Sequence, residues 1–141
     1  MTSLEPAFLL LARLCLATLF LVEGYGKITG YADVVAYMAA HNVPGGLLPV
    51  VILTELVGGL CIAAGFLTRA IAFAMAGFAL LTALFFHTNF NDPDQLIHFL
   101  KNIAIAGGFF SLVANGAGAW SLDAVLFRRG WVRTDAQGAG R

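Results

Sequence analysis

"LIHFLKNIAIAGGFFSLVANG", residues 96–116, is apolar enough to lie in lipid, yet its first turns carry His98, Lys101 and Asn102. A bilayer core takes about 20 mainly apolar residues per helical span, so a run of this length reads as a transmembrane helix. Its three polar groups fall at i, i+3 and i+4, which is one helix face. Lipid offers such a face no partner, so it must meet other protein groups or a cavity.

Three further runs have the same character: "PAFLLLARLCLATLFLVEGYG" (6–26), "LLPVVILTELVGGLCIAAGF" (47–66) and "RAIAFAMAGFALLTALFFH" (69–87). The segments between them, 27–46, 67–68 and 88–95, hold Gly, Pro, Asn or Asp where helices would stop, and read as loops. Composition agrees. Of 141 residues 60% are apolar and 11% charged, where soluble domains carry about 25% charged residues. The expected fold is all-α, an integral membrane four-helix bundle placed in a bacterial inner membrane. One transmembrane domain would span residues 1–127, followed by a short basic, flexible cytoplasmic tail at 128–141. The net charge of zero gives nucleic acid no basic patch.

The first run follows "MTSLEP", which has no basic region, and is expected to be a retained span rather than a secretory signal. Arg69 falls between the second and third runs, and Arg128, Arg129 and Arg133 follow the fourth. By the positive-inside rule both termini are then cytoplasmic.

Depth can be counted at about 1.5 Å per residue. Glu23 and Lys27 end the first span, His87 ends the third, and His98, Lys101 and Asn102 begin the fourth. All belong to the outer half of the membrane. Glu55 lies near the midplane, and Arg13 lies deeper, toward the cytoplasm. Glu23 and Lys27 are one turn apart, and Glu55 shares its face with Gly58 and Gly59, which let another helix approach. Ala72, Ala76, Ala79 and Ala83 give the third span a small-residue packing face. These glycine and alanine faces also leave room for a homodimer.

An isolated charge at a span centre costs roughly 2.5–3.5 kcal/mol, so Arg13, Glu23, Glu55 and Lys101 together would cost about 10 kcal/mol if unpaired. Two are acids and two are bases. Lys101 is expected to pair with Glu55 or, failing that, Glu23, both within about 8 Å of it in depth. Since buried ion pairs are seldom better for stability than apolar packing, the cluster points to a function. A blander reading leaves Lys27 and the histidines snorkelling at span ends and Glu23 with Lys27 as an interfacial pair. The aromatics Tyr25, Tyr31, Phe85, Phe86, Trp120 and Trp131 read as interface residues.

"ARLCLATLFLVEGYGKITG" (12–30), "TELVGGLCIAAGFLTR" (54–69) and "HFLKNIAIAGG" (98–108) resemble the DoxX family of small four-span bacterial membrane proteins. The resemblance rests on Arg13, Gly24, Lys27, Glu55, Gly59, Gly65, Lys101 and Asn102, and extends over about residues 8–125. Glu23 is not assigned by that pattern. It implies a membrane subunit of a quinone-associated redox or oxidative-stress complex, with a partner redox protein.

Read from the residues themselves, the candidate ligand-binding set is Arg13, Glu23, Lys27, Glu55, His87, His98, Lys101 and Asn102. Donors such as Lys101, Asn102 and His98 suit the carbonyl oxygens of a quinone, and His or Glu can move a proton. The sequence has no C-x-x-C-H haem site, iron–sulfur spacing or dinucleotide loop, so a redox role would draw electrons from a partner. Cys15 and Cys61 lie in spans without motif and read as small hydrophobes. No metal site is assigned to the two histidines. Two other classes remain open: a proton-coupled small-molecule carrier, and a non-catalytic assembly or scaffold subunit.

Overall fold

The computed structural model describes residues 4–131, with side chains through residue 127. Helix α1 covers Glu5–Thr29, α2 Tyr31–Ala40, α3 Leu48–Ala64, α4 Thr68–Phe86, α5 Pro93–Asn115 and α6 Leu122–Trp131. Four of these, α1, α3 with the 3-10 turn Gly45–Leu47 before it, α4 and α5, are long and apolar enough to cross a membrane. The protein is an all-α integral membrane four-helix bundle.

Local chemistry sets the span ends. Pro6, Pro49 and Pro93 stand in the first turns of α1, α3 and α5, where a missing N–H breaks no helical bond. Asp92 caps α5, its carboxylate accepting from the Asp94 N–H at 3.0 Å. Gly65 closes α3 in the left-handed region, at φ 68°.

Helices α1 and α3 pack together, as do α4 and α5; α3 meets α4, and α1 meets α5, to close the ring. The diagonal helices α3 and α5 therefore face each other across the middle. Small residues set how close the neighbours come. A Cβ placed on Gly59 would sit 3.1 Å from the Leu21 side chain and 3.4 Å from the Ala17 carbonyl, so the glycine lets Leu21 and the backbone of α1 pack directly on α3. On α4 the alanine face is buried throughout. Phe20, Met75, Phe109 and Leu112 fill the centre, with the Phe20 and Phe109 rings 5.5 Å apart.

Two helices were not foreseen. The segment 27–46 is not simply a loop, because Tyr31–Ala40 forms α2, which places Val34, Tyr37 and Met38 on one face at i, i+3 and i+4. Met38 is buried, and the Tyr37 ring stacks on Phe86 at 5.5 Å. Phe86 thus serves as the seat of α2. At the other end of the bundle α6 runs through the expected domain boundary at 127, and the rest of the expected tail, 132–141, lies outside the described residues.

Candidate functional site

Helices α1 and α3 also pack tightly at Gly24. An added Cβ there would stand 2.9 Å from Leu56 and 3.2 Å from the Glu55 Cβ. This proximity carries the end of α1 over the carboxylate of α3. The Lys27 ammonium donates to Glu55 Oε1 at 2.9 Å and to Glu23 Oε2, one turn away, at 3.2 Å. Glu55 is buried, its side chain only 5% exposed; that of Lys27 is 20% exposed and that of Glu23 56%.

The expected pairing of Lys101 with a glutamate is not formed. Lys101 donates instead to His98 Nδ1, one turn away on α5, at 3.0 Å. Topology explains the exchange: α1 is the neighbour of α3, while α5 stands diagonally from it. Lys27 therefore reaches Glu55 first. An ammonium can only donate, so Nδ1 is the accepting nitrogen of this contact. His87 Nδ1 donates to Gln95 Oε1 at 2.8 Å, and the His87 and His98 rings stack at 5.1 Å. Asn102 is buried and donates to the His98 carbonyl at 3.0 Å, which leaves its own carbonyl oxygen as an acceptor.

Between these groups lies a cavity of about 590 Å³, within the roughly 300–1,000 Å³ of small-molecule sites. Glu23, Lys27 and Glu55 line it from α1 and α3, and His87, His98, Lys101 and Asn102 from α4 and α5. Its apolar wall includes Phe20, Phe78 and Phe85, with Val34, Tyr37 and Met38 of α2 closing one side. Tyr37 is not among the residues expected at the site, although the spacing of Val34, Tyr37 and Met38 in "YADVVAYMAA" signals an amphipathic helix. Burial raises the Tyr37 phenol above its ordinary value, so it remains a hydroxyl donor at neutral pH. Glu55 Oε2 is buried and has no hydrogen-bond partner among the described residues.

Arg13 lies elsewhere. Ten residues before Glu23 on α1, it sits about 15 Å farther along the bundle and does not line the cavity. Fully buried, it donates from Nη2 to the Trp120 carbonyl in the connection between α5 and α6. Gly65 gives it room, since an added Cβ would collide with Nη1. Beside it, Asp123 accepts from the Leu67 and Thr68 N–H groups at 2.7 and 2.9 Å, capping α4 from across the chain. Arg13 belongs to a structural junction.

A family model described as DoxX matches residues 8–88. The inner membrane protein YqjF of Escherichia coli (strain K12) is 49% identical over 129 residues, which covers 92% of this chain and 99% of that protein. The inner membrane protein YphA of the same organism is 34% identical over 126 residues, 84% of this chain and 90% of that protein. No solved structure matches the chain.

Proposed function

The chain belongs to the DoxX family and is a multi-pass inner-membrane protein, and on that premise we propose that it is a ligand-holding membrane subunit. Its ligand is a lipid-soluble ring with oxygen substituents, a quinone-type headgroup. The subunit serves a redox or oxidative-stress complex whose partner protein supplies the electrons. One observation carries this reading: a single cavity has an apolar aromatic wall and polar groups on two facing sides. An aromatic or aliphatic wall takes the ring, while a few placed polar groups orient it. The Lys101 ammonium has donors beyond the one spent on His98, and that contact leaves the second ring nitrogen of His98 unused.

The carrier reading is weaker, because Lys27 bonds both Glu23 and Glu55 and so occupies the acids a cation would need. A pure scaffold would favour a core filled by its own side chains, whereas this cavity has the volume of a ligand.

Native mass spectrometry of protein extracted into lipid nanodiscs tests the proposal. The wild type should retain a bound isoprenoid quinone or hydroquinone, and a Val51→Trp variant, which places an indole in the cavity, should lose it. A wild-type protein that carries no such mass and shows no thermal shift with added short-chain ubiquinone would refute the proposal.

A further inference from the structure

We infer that the cavity prefers a hydroquinone to the corresponding quinone, through a phenolic hydroxyl that donates to Glu55. The inference rests on the reading of the cavity as a quinone-type site, and it concerns which redox form that site holds.

Glu55 lines the cavity and is 4% exposed. Its Oε1 accepts from the Lys27 ammonium, and its Oε2 is buried with no hydrogen bond among the described residues. A carboxylate paired with an ammonium is an acceptor only. A buried acceptor without a donor carries a desolvation penalty that the right ligand removes. The polar atom still in need of a partner thus asks for an O–H or N–H.

A quinone cannot meet that need. Its ring oxygens are acceptors, and one placed against Oε2 sets two electron-rich oxygens together. A hydroquinone has the same ring and outline but offers a hydroxyl, and an O–H donor to a carboxylate makes a short bond about twice as strong as a neutral one. The facing wall fits the second oxygen, because Lys101 on α5 has donors to give and a hydroxyl oxygen accepts as readily as a carbonyl. Sites built around a hydrogen bond to a substrate hydroxyl discriminate strongly against analogues that lack it, since the protein's own group is then left unpaired. No electron moves in this step; it is a binding preference between two forms differing by two electrons and two protons.

Three probes separate the possibilities: short-chain ubiquinol kept reduced under anaerobic dithionite, the matching ubiquinone, and the dimethyl ether of the same hydroquinone, which has no O–H. Dissociation constants are measured by microscale thermophoresis on the full chain in nanodiscs. The hydroquinone should bind at least about tenfold more tightly than the other two, and in Glu55→Gln, whose amide both donates and accepts, the preference should fall to about twofold or less. Wild-type protein that binds the quinone or the ether as tightly as the hydroquinone overturns the inference while leaving the cavity a binding site. Failure of all three to bind overturns the cavity reading itself. A preference that survives in Glu55→Gln removes Glu55 from its cause, and if that variant does not fold, the ether alone decides whether the hydroxyl is read.

Discussion

The ammonium of Lys27, near the end of α1, lies 2.9 Å from the carboxylate of Glu55 in the middle of α3, and this contact joins the two helices on one side of the cavity. Its geometry depends on Gly24, which allows the helices to meet one turn below the lysine. Breaking a buried ion pair by removing one partner leaves an uncompensated charge and costs about 3–5 kcal/mol. Because Lys27 is partly exposed and also touches Glu23, Lys27→Met should cost about 3 kcal/mol, the lower end of that range. Replacing Glu55 as well should recover at least half of the loss. Reversible unfolding in mixed micelles gives the coupling energy. By contrast, Lys101→Met with Glu55→Met should be additive to within about 0.5 kcal/mol, and strong coupling in that second cycle would overturn the assignment of Lys27 as the partner.

Gly24 and Gly26 offer a test of helix approach within one turn of α1. A Cβ on Gly24 would meet Leu56 at 2.9 Å, whereas nothing lies within 4 Å of one on Gly26. Alanine at a helix-interior glycine gains about 0.5–1 kcal/mol when space permits. Gly26→Ala should therefore be neutral or stabilising. Gly24→Ala should be destabilising by about 1–3 kcal/mol, the usual cost of overpacking, and should also lengthen the Lys27–Glu55 contact. Equal melting temperatures for the two variants would mean that Leu56 yields freely and that the crossing is not set by Gly24.

The four spans were legible because each satisfies length and hydropathy without help from its neighbours. "LIHFLKNIAIAGGFFSLVANG" already shows which residues of α5 share a face, and six of the candidate polar residues besides Glu55 line the same cavity as it does. Which lysine meets which acid was not legible, because depth along the membrane normal is common to Lys27 and Lys101. The choice depends on which helices are adjacent around the ring, and that is a property of Gly24, Gly59 and the α4 alanines acting together. The α2 segment was misread because its flanking Gly30 and Pro44 look like loop punctuation, although its apolar spacing is helical. Arg13 enters the ligand set by its charge, its seven-residue spacing from Phe20 and Lys27 and the family pattern, whereas the partner it has in the structure, a backbone carbonyl 107 residues away, leaves no sequence signal.

Orientation rests on arginine placement and can be measured directly. The connection between α4 and α5 is expected to face outward, and the segment after α6 inward. In a background with Cys15 and Cys61 replaced, Asn91→Cys should react with an impermeant maleimide added to intact cells, while Ala136→Cys should react only after lysis. The reverse pattern would turn the cavity end of the bundle toward the cytoplasm.

The junction at the opposite end makes the last prediction, which separates a structural arginine from a ligand-binding one. Leu67 precedes α4 as its cap residue at φ 47°, an unfavourable backbone region for leucine, and its side chain cannot cap the helix. Asp123 supplies both needs: its carboxylate accepts from the Leu67 and Thr68 N–H groups, and its own N–H donates to the Gly65 carbonyl at 2.8 Å. Arg13 closes the same knot by bonding the Trp120 carbonyl. Asp123→Ala should then cost about 1–2 kcal/mol, as loss of a helix cap does, and adding Leu67→Gly should return part of it by relieving the backbone strain. Arg13→Leu should lower the melting temperature and shift the Trp120 fluorescence, since the carbonyl it holds is Trp120's own. The affinity of the cavity for a short-chain ubiquinol should stay within about twofold of wild type in that variant, because Arg13 lies about 15 Å along α1 from Glu23. An Arg13→Leu protein that melts normally but no longer binds would place Arg13 in the site after all.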